Sequence, residues 1–332
     1  MLNEIDCLPE GLLRTPATEL CRVLPGPTLL HLPGKQGNPL FISVLQHGNE
    51  FSGWETVRRL LGEYQNRELP RSLSIFIANI EAAGQGKRHL DHQPDYNRVW
   101  NLGDSREHQM MQAVLSSMER REVFASIDLH NNTGINPHYA CINKVEPRFI
   151  NLARLFSRTI VYFIRPDGVQ SKAFSNLCPS VTLECGLPGE ESGIRHSLSF
   201  IEEVFHLDCI ADTPVERSEL DLFHTVGIVK IREGISIGFN GDHADVILKE
   251  DIETMNLKQV QPYTVIAERI RREDLPIRVT DEFGNDITGK YFTLRADKLL
   301  TRQNIIPSMF TRNTDIILDD CLCYLMEHYL LE

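Results

Sequence analysis

Seven short runs rich in β-branched and aromatic residues recur between Thr28 and His206, and longer amphipathic stretches separate many of them. The runs are TLLHL (28–32), LFISVLQ (40–46), SLSIFIAN (72–79), VFASIDLH (123–130), HYACIN (138–143), TIVYFI (159–164) and SVTLEC (180–185). Several are continuously apolar, as strands buried on both faces must be. Helical periodicity fills 52–66, 105–121, 146–158 and 190–206, and in the first of these Trp54, Val57, Leu60 and Leu61 share one face. Alternation of this kind restricts the region to an α/β architecture, a sheet covered by helices.

After Asp208 the pattern changes to short alternating stretches, TVGIVKI (225–231), ISIGF (235–239), ADVILK (244–249) and YFTLRAD (291–297). FNGD (239–242) and FGND (283–286) read as hairpin turns between them. A second, smaller β-rich domain is expected. The charged, proline-bearing segment ADTPVERSE (211–219) marks the junction, so the expected division is 1–212 and 213–332.

Charge and patterning remove several function classes. Lys plus Arg number 34 against 46 Asp plus Glu, a formal net charge of −12, and no local basic stripe offsets it, so nucleic acid is not an expected partner. Glu4, Asp6 and Glu10 occupy the first residues, where a secretory leader would be basic and then apolar. No apolar run reaches the roughly 18 residues of a membrane span. Eight scattered cysteines fit reduced thiols, and a cytoplasmic protein is expected. Cys321 and Cys323 lie in the apolar run DDCLCYLMEHYLL and read as buried small side chains. Two motif look-alikes fail on context. Gly234 to Gly238 (GISIG) lacks the helix that follows a nucleophile elbow, and GNDITGK (284–290) is followed by Tyr291 and a strand-like stretch, so it reads as a hairpin.

The chemistry concentrates where expected strands end, the crevice in which α/β folds bind ligands. His47-Gly48-Asn49-Glu50 follows one strand, and Asp128-Leu129-His130 ends another. Two imidazoles and one carboxylate are the donors of hydrolytic zinc sites, in which a fourth position stays open, so His47, Glu50 and His130 together form the candidate metal set. Asp128 reads as a partner that orients a ligand histidine. Glu184 ends the apolar run SVTLEC, a costly place for a charge unless it has work or a partner, and beside a metal-activated water it reads as general base and acid. The loop GKRHLDHQPDYNRVW (86–100) adds Arg88, suited to an oxyanion, and Asn97 with Arg98, suited to grip a substrate carboxylate.

In this order, HGNE, GKR with D-x-N-R, DLH and TLECG, the motifs resemble the zinc carboxypeptidase superfamily and, within it, the succinylglutamate desuccinylase/aspartoacylase branch. TVGIVKI resembles the entry to that branch's C-terminal domain. The resemblance implies a doubly wound α/β domain with a mixed sheet, one zinc ion on His47, Glu50 and His130, and Glu184 as base and acid. It further implies Arg88 polarising the scissile carbonyl, Asn97 and Arg98 binding substrate, and a C-terminal β domain that restricts the site to small substrates. The spacer HLDHQP between Arg88 and Asp95 is longer than the resemblance suggests, and its His89 and His92 have no counterpart in it. Arg165 and Lys172 are candidates for reading the acyl group without aligning to the pattern.

The expected activity is a zinc-dependent hydrolase that cleaves the amide of a small N-acyl amino acid or a similar carboxylate-bearing amide. A zinc carboxypeptidase acting on peptides and a non-catalytic zinc- or ligand-binding protein on the same scaffold are the alternatives. The expected partner is a small molecule, neither nucleic acid nor membrane, and homo-oligomerisation stays open.

Overall fold

The computed structural model describes residues 2–240, 243–271 and 274–330. The chain divides into two units. One takes the chain up to Asn131, with His138–Tyr162 and Pro166–Asp221; the other takes Asn132–Pro137, Phe163–Arg165 and the chain from Leu222.

The first unit contains β1 (Asn3–Ile5), β2 (Thr28–Leu32), β3 (Gly34–Val44), β4 (Leu69–Ile77), β5 (Ala125–His130), β6 (Tyr139–Ile142), β7 (Thr159–Tyr162) and β8 (Ser180–Glu184). They run across the sheet in the order β1, β2, β4, β3, β5, β8, β6, β7. The centre, β4 through β8, is parallel, whereas β2 meets β4 and β6 meets β8 in antiparallel fashion. The alternation predicts this α/β architecture, and the mixed, doubly wound sheet is the one that the resemblance implies. All seven expected runs form strands, with ends moved by a few residues.

The helices are α1 (Ser52–Glu63), α2 (Ile80–Gly84), α3 (Arg106–Arg120), α4 (Pro147–Phe156), α5 (Gln170–Phe174) and α6 (Glu191–Phe205). In α1 the expected face, Trp54, Val57, Leu60 and Leu61, is buried. Met110, Met111, Val114 and Met118 of α3 pack with Phe174 of α5 against Phe41 and Phe76 of the sheet. The chain goes from β3 to β4 on one side and then returns to β5 on the other side of β3. That reversal makes the carboxyl ends of β3 and β5 the switch point, and both expected histidine motifs sit there. β3 stops at Val44 because Leu45 takes a left-handed φ of 58°, which ends the strand ahead of Gln46.

In the second unit, β9 (Asp221–Ile231) pairs antiparallel with β13 (Ile277–Thr280) and with β17 (Cys323–His328), which in turn pairs with β16 (Ile306–Ser308). A separate sheet has the order β10 (Ile237–Gly238), β11 (Val246–Leu248), β12 (Val265–Ile270), β15 (Lys298–Thr301), β14 (Phe292–Arg295). Cys321 and Cys323 are buried thiols. Ser236 of GISIG donates to Asp245 at 2.7 Å, and the element that follows it is the short strand Ile237–Gly238. FGND closes a bridge between Thr280 and Asp286, while part of FNGD lies outside the described residues. GNDITGK departs from the expected hairpin. It ends in one helical turn, Thr288–Tyr291, because the Asp286 carboxylate accepts from the Thr288 backbone and hydroxyl. Among the described residues no helix is long and apolar enough to cross a membrane.

Candidate metal centre and active site

His47 and Glu50 lie in the loop that follows β3, and His130 is the last residue of β5. The loop turns so tightly that a Cβ on Gly48 would stand 2.2 Å from the Ala83 nitrogen, which explains the glycine between the strand and Glu50. His47 Nδ1 lies 2.8 Å from Glu50 Oε1, and His130 Nδ1 lies 2.7 Å from Glu50 Oε2. All three residues are buried, and their candidate ligand atoms lie within 4.8 Å of one another. Asn131 steadies the carboxylate, its backbone N–H donating to Glu50 Oε2 at 3.1 Å.

Each imidazole turns its other nitrogen toward a carboxylate. His47 Nε2 meets Asp95 Oδ1 at 3.0 Å, and His130 Nε2 meets Asp128 Oδ2 at 2.9 Å. Outer carboxylates of this kind fix the tautomer of a metal-ligating histidine. Burial, with Arg88, would strip the proton from His47, but Glu50 and Asp95 outweigh them. Burial likewise opposes the charge on His130, and Asp128 and Glu50 raise its proton affinity well above that of an ordinary imidazole. Burial opposes the charge on Glu50 too, yet the two imidazoles hold it far below the usual carboxylate range. Two buried imidazoles set among the Glu50, Asp95 and Asp128 carboxylates make a pocket that favours positive charge. Two nitrogens and a carboxylate suit zinc, and cobalt, manganese and iron as well.

Glu184 closes β8, in register with His130 across the parallel pair. Burial pushes its carboxyl up to about 7, against the opposing pull of the His130 cation. Arg88 is held by Asp95, its Nη2 donating to Oδ2 at 2.9 Å, with Nη1 3.6 Å from Glu50 Oε1. Asn97 is buried, its Oδ1 accepting from the Gln170 backbone at 2.9 Å and its Nδ2 lying 3.1 Å from His130 Nε2. Arg98 is half-buried and donates through Nη1 to the Asn97 carbonyl at 2.9 Å. Asn97 thus borders the candidate ligand His130, and the Arg98 guanidinium folds back on the Asn97 carbonyl.

Lys172 pairs with Asp167 at 2.5 Å, and Arg165 Nε donates to the Glu282 carbonyl at 3.3 Å. In the long spacer, His89 bonds the neighbouring Leu90 carbonyl, and His92 lines a cavity of about 100 Å³ with Glu81, Tyr96 and Arg106.

Sequence reading gave Asp95 no role, although it links His47 to Arg88 and caps the turn Tyr96–Arg98 by accepting from the Asn97 N–H at 2.7 Å. Its place in D-x-N-R was the available signal. Gln46 and Trp100 were also missed. Gln46 donates to Asp128 Oδ1 at 2.8 Å, and Trp100 donates to Gln46 at 2.7 Å.

No curated protein sequence matches the chain. Among solved structures, succinylglutamate desuccinylase from Vibrio cholerae is similar at 14% identity and a TM-score of 0.59, covering 90% of this chain and 85% of that one. A succinylglutamate desuccinylase/aspartoacylase from Rhodobacter sphaeroides is similar at 16% identity and a TM-score of 0.58, covering 90% and 88%. Murine aminoacylase 3 is similar at 13% identity and a TM-score of 0.51, covering 89% and 96%. At these identities the likeness establishes the fold. Residues 36–186 match the succinylglutamate desuccinylase/aspartoacylase catalytic domain and contain the candidate metal set, the loop from Arg88 to Arg98 and Glu184. Over that segment, a little under half of its length, the chain resembles the catalytic domain of the succinylglutamate desuccinylase/aspartoacylase family.

Proposed function

We propose that the protein is a zinc-dependent amidohydrolase that cleaves a small N-acyl amino acid, or a similar carboxylate-bearing amide, into a carboxylate and a free amine. The observation that carries this reading is the placement of Glu184, a buried carboxyl raised to about 7, beside the His47, Glu50 and His130 donor set. His47, Glu50 and His130 would hold the ion through two Nδ1 atoms and the Glu50 carboxylate. Bound there, zinc supplies Lewis acidity toward water and the scissile carbonyl.

The chain's own groups account for the remaining steps. Glu184 takes a proton from the attacking water as the new C–O bond forms, and returns it to the amide nitrogen as the C–N bond breaks. A carboxyl poised near neutrality serves both steps. Arg88, anchored by Asp95, is a fixed donor for the oxygen on which negative charge develops. Arg98 takes the substrate carboxylate. Asn97, whose amide is committed to Gln170 and borders His130, shapes the floor beneath it. The family match and the three similar desuccinylase and aminoacylase structures support a small acyl amino acid as substrate.

The test is amine release from a panel of N-acyl amino acids and short peptides, with chelator-treated protein before and after zinc is restored. Zinc-dependent release from one acyl class is the expected result. Cleavage of peptides alone transfers the assignment to a carboxypeptidase, and zinc binding without turnover on any amide transfers it to a binding protein.

A further inference from the structure

Trp100 has one polar side-chain atom, an indole N–H that donates and cannot accept. It is 1% exposed, and its Nε1 donates to Gln46 Oε1 at 2.7 Å. An amide whose oxygen is engaged presents its NH2 on the other side, and Gln46 Nε2 donates to Asp128 Oδ1 at 2.8 Å. Ser43 Oγ donates to the same oxygen at 2.6 Å. Asp128 is then left with Oδ2 for His130 Nε2, 2.9 Å away. A carboxylate accepts, so Nε2 carries a proton, and Nδ1 is the nitrogen that would give up its proton and offer a lone pair to a metal ion. Asn97 Nδ2 also approaches Nε2, at 3.1 Å, but the charge-assisted bond to Asp128 is the stronger claim on that nitrogen.

Trp100 thus fixes which way the Gln46 amide faces, and that amide braces the Asp128 carboxylate that accepts from His130. We infer that Trp100 and Gln46 are positioning residues that fix the tautomer of His130 through Asp128 and so set the affinity of the site for its metal ion. The inference rests on the metal-binding reading proposed above. Gln46 precedes His47 in the chain, but its side chain bonds Asp128 and that of Trp100 bonds Gln46, so both side chains act through Asp128. Phenylalanine at 100 would fill the packing against Phe76 and Phe174 without orienting the amide, and methionine at 46 would fill the volume without donating.

The experiment measures zinc affinity of chelator-treated protein by competition with a chromophoric chelator, for the parent, Gln46→Met, Trp100→Phe and the double variant. Outer partners of metal-bound histidines are worth about 10–100-fold in affinity. Gln46→Met is expected near the lower figure, Trp100→Phe below it, and the double variant no weaker than Gln46→Met alone. A merely structural role lowers the melting temperature of the metal-free protein and leaves zinc affinity unchanged. Unchanged affinity in Gln46→Met overturns the inference, as do losses that add in the double variant. If Gln46→Met does not fold, unchanged affinity in Trp100→Phe overturns it by itself. A parent that binds no zinc overturns the metal reading instead, so the two failures are distinct.

Discussion

The two imidazoles of the site are buttressed by different parts of the fold. His130 and Asp128 stand two residues apart on β5, so the period of a strand puts both side chains on one face. Asp128 is fully buried and also receives Ser43, its register partner on β3, and Gln46. His47 and Asp95 instead come from two loops 48 positions apart, and Asp95 retains 17% side-chain exposure. Asp95 is shared with Arg88. One arm is therefore a strand-borne support whose hydrogen bonds converge on the candidate ligand His130. The other arm couples the candidate ligand His47 to the Arg88 guanidinium.

Alanine substitution exposes this asymmetry most strongly. Asp128→Ala leaves His130, Ser43 and Gln46 without their acceptor in a dry interior, and breaking a buried charged network costs about 3–5 kcal/mol. Asp95→Ala removes a partly exposed acceptor and is expected to cost about 1–3 kcal/mol. Urea unfolding of the chelator-treated proteins measures both, and equal losses would break the comparison.

Asparagine variants sharpen it with less disruption. Asp128→Asn is expected to weaken zinc binding by about 100-fold and Asp95→Asn by about 10-fold. At saturating zinc the order reverses. Asp128→Asn regains most of its kcat, whereas Asp95→Asn stays low by about 100-fold because Arg88 has lost its anchor. Steady-state kinetics across a zinc titration would show the crossing, and its absence would mean that Asp95 supports only the metal.

The same contrast explains how far the site was legible in the sequence. DLH needs only strand periodicity, and HGNE needs only a strand end and a glycine; both motifs carry their geometry within a few residues. Glu184 was readable because a charge at the end of SVTLEC conflicts with its apolar neighbours. Asp95 belongs to His47 by virtue of loop closure, and no local pattern encodes a contact 48 positions away. The link from Trp100 to Gln46 spans 54 positions and depends on which amide atom faces the indole. In the second unit, turn chemistry placed FGND correctly, but β12, β15, β16 and β17 were not singled out. Their 3–6 residues carry too little alternation to separate them from loops.

Glu50 and Glu184 carry the comparison to its smallest expected effect. Both are buried carboxyls, 3% and 8% exposed, yet flanking imidazoles hold Glu50 far down while burial drives Glu184 from an ordinary 4.5 up to about 7. Between those two values the folded protein binds more protons at Glu184 than the unfolded chain does, so stability falls as pH rises through that window. Above it, the full cost of ionising a buried carboxyl is present. Glu184→Gln removes the cost. In chelator-treated protein the variant should therefore match the parent near pH 4.5 and exceed its melting temperature by an amount that grows toward pH 7 and then levels, on the order of a few degrees. A gap that stays constant across this range would mean that Glu184 titrates as an exposed carboxylate, and the general-base role proposed for it would lose its physical warrant.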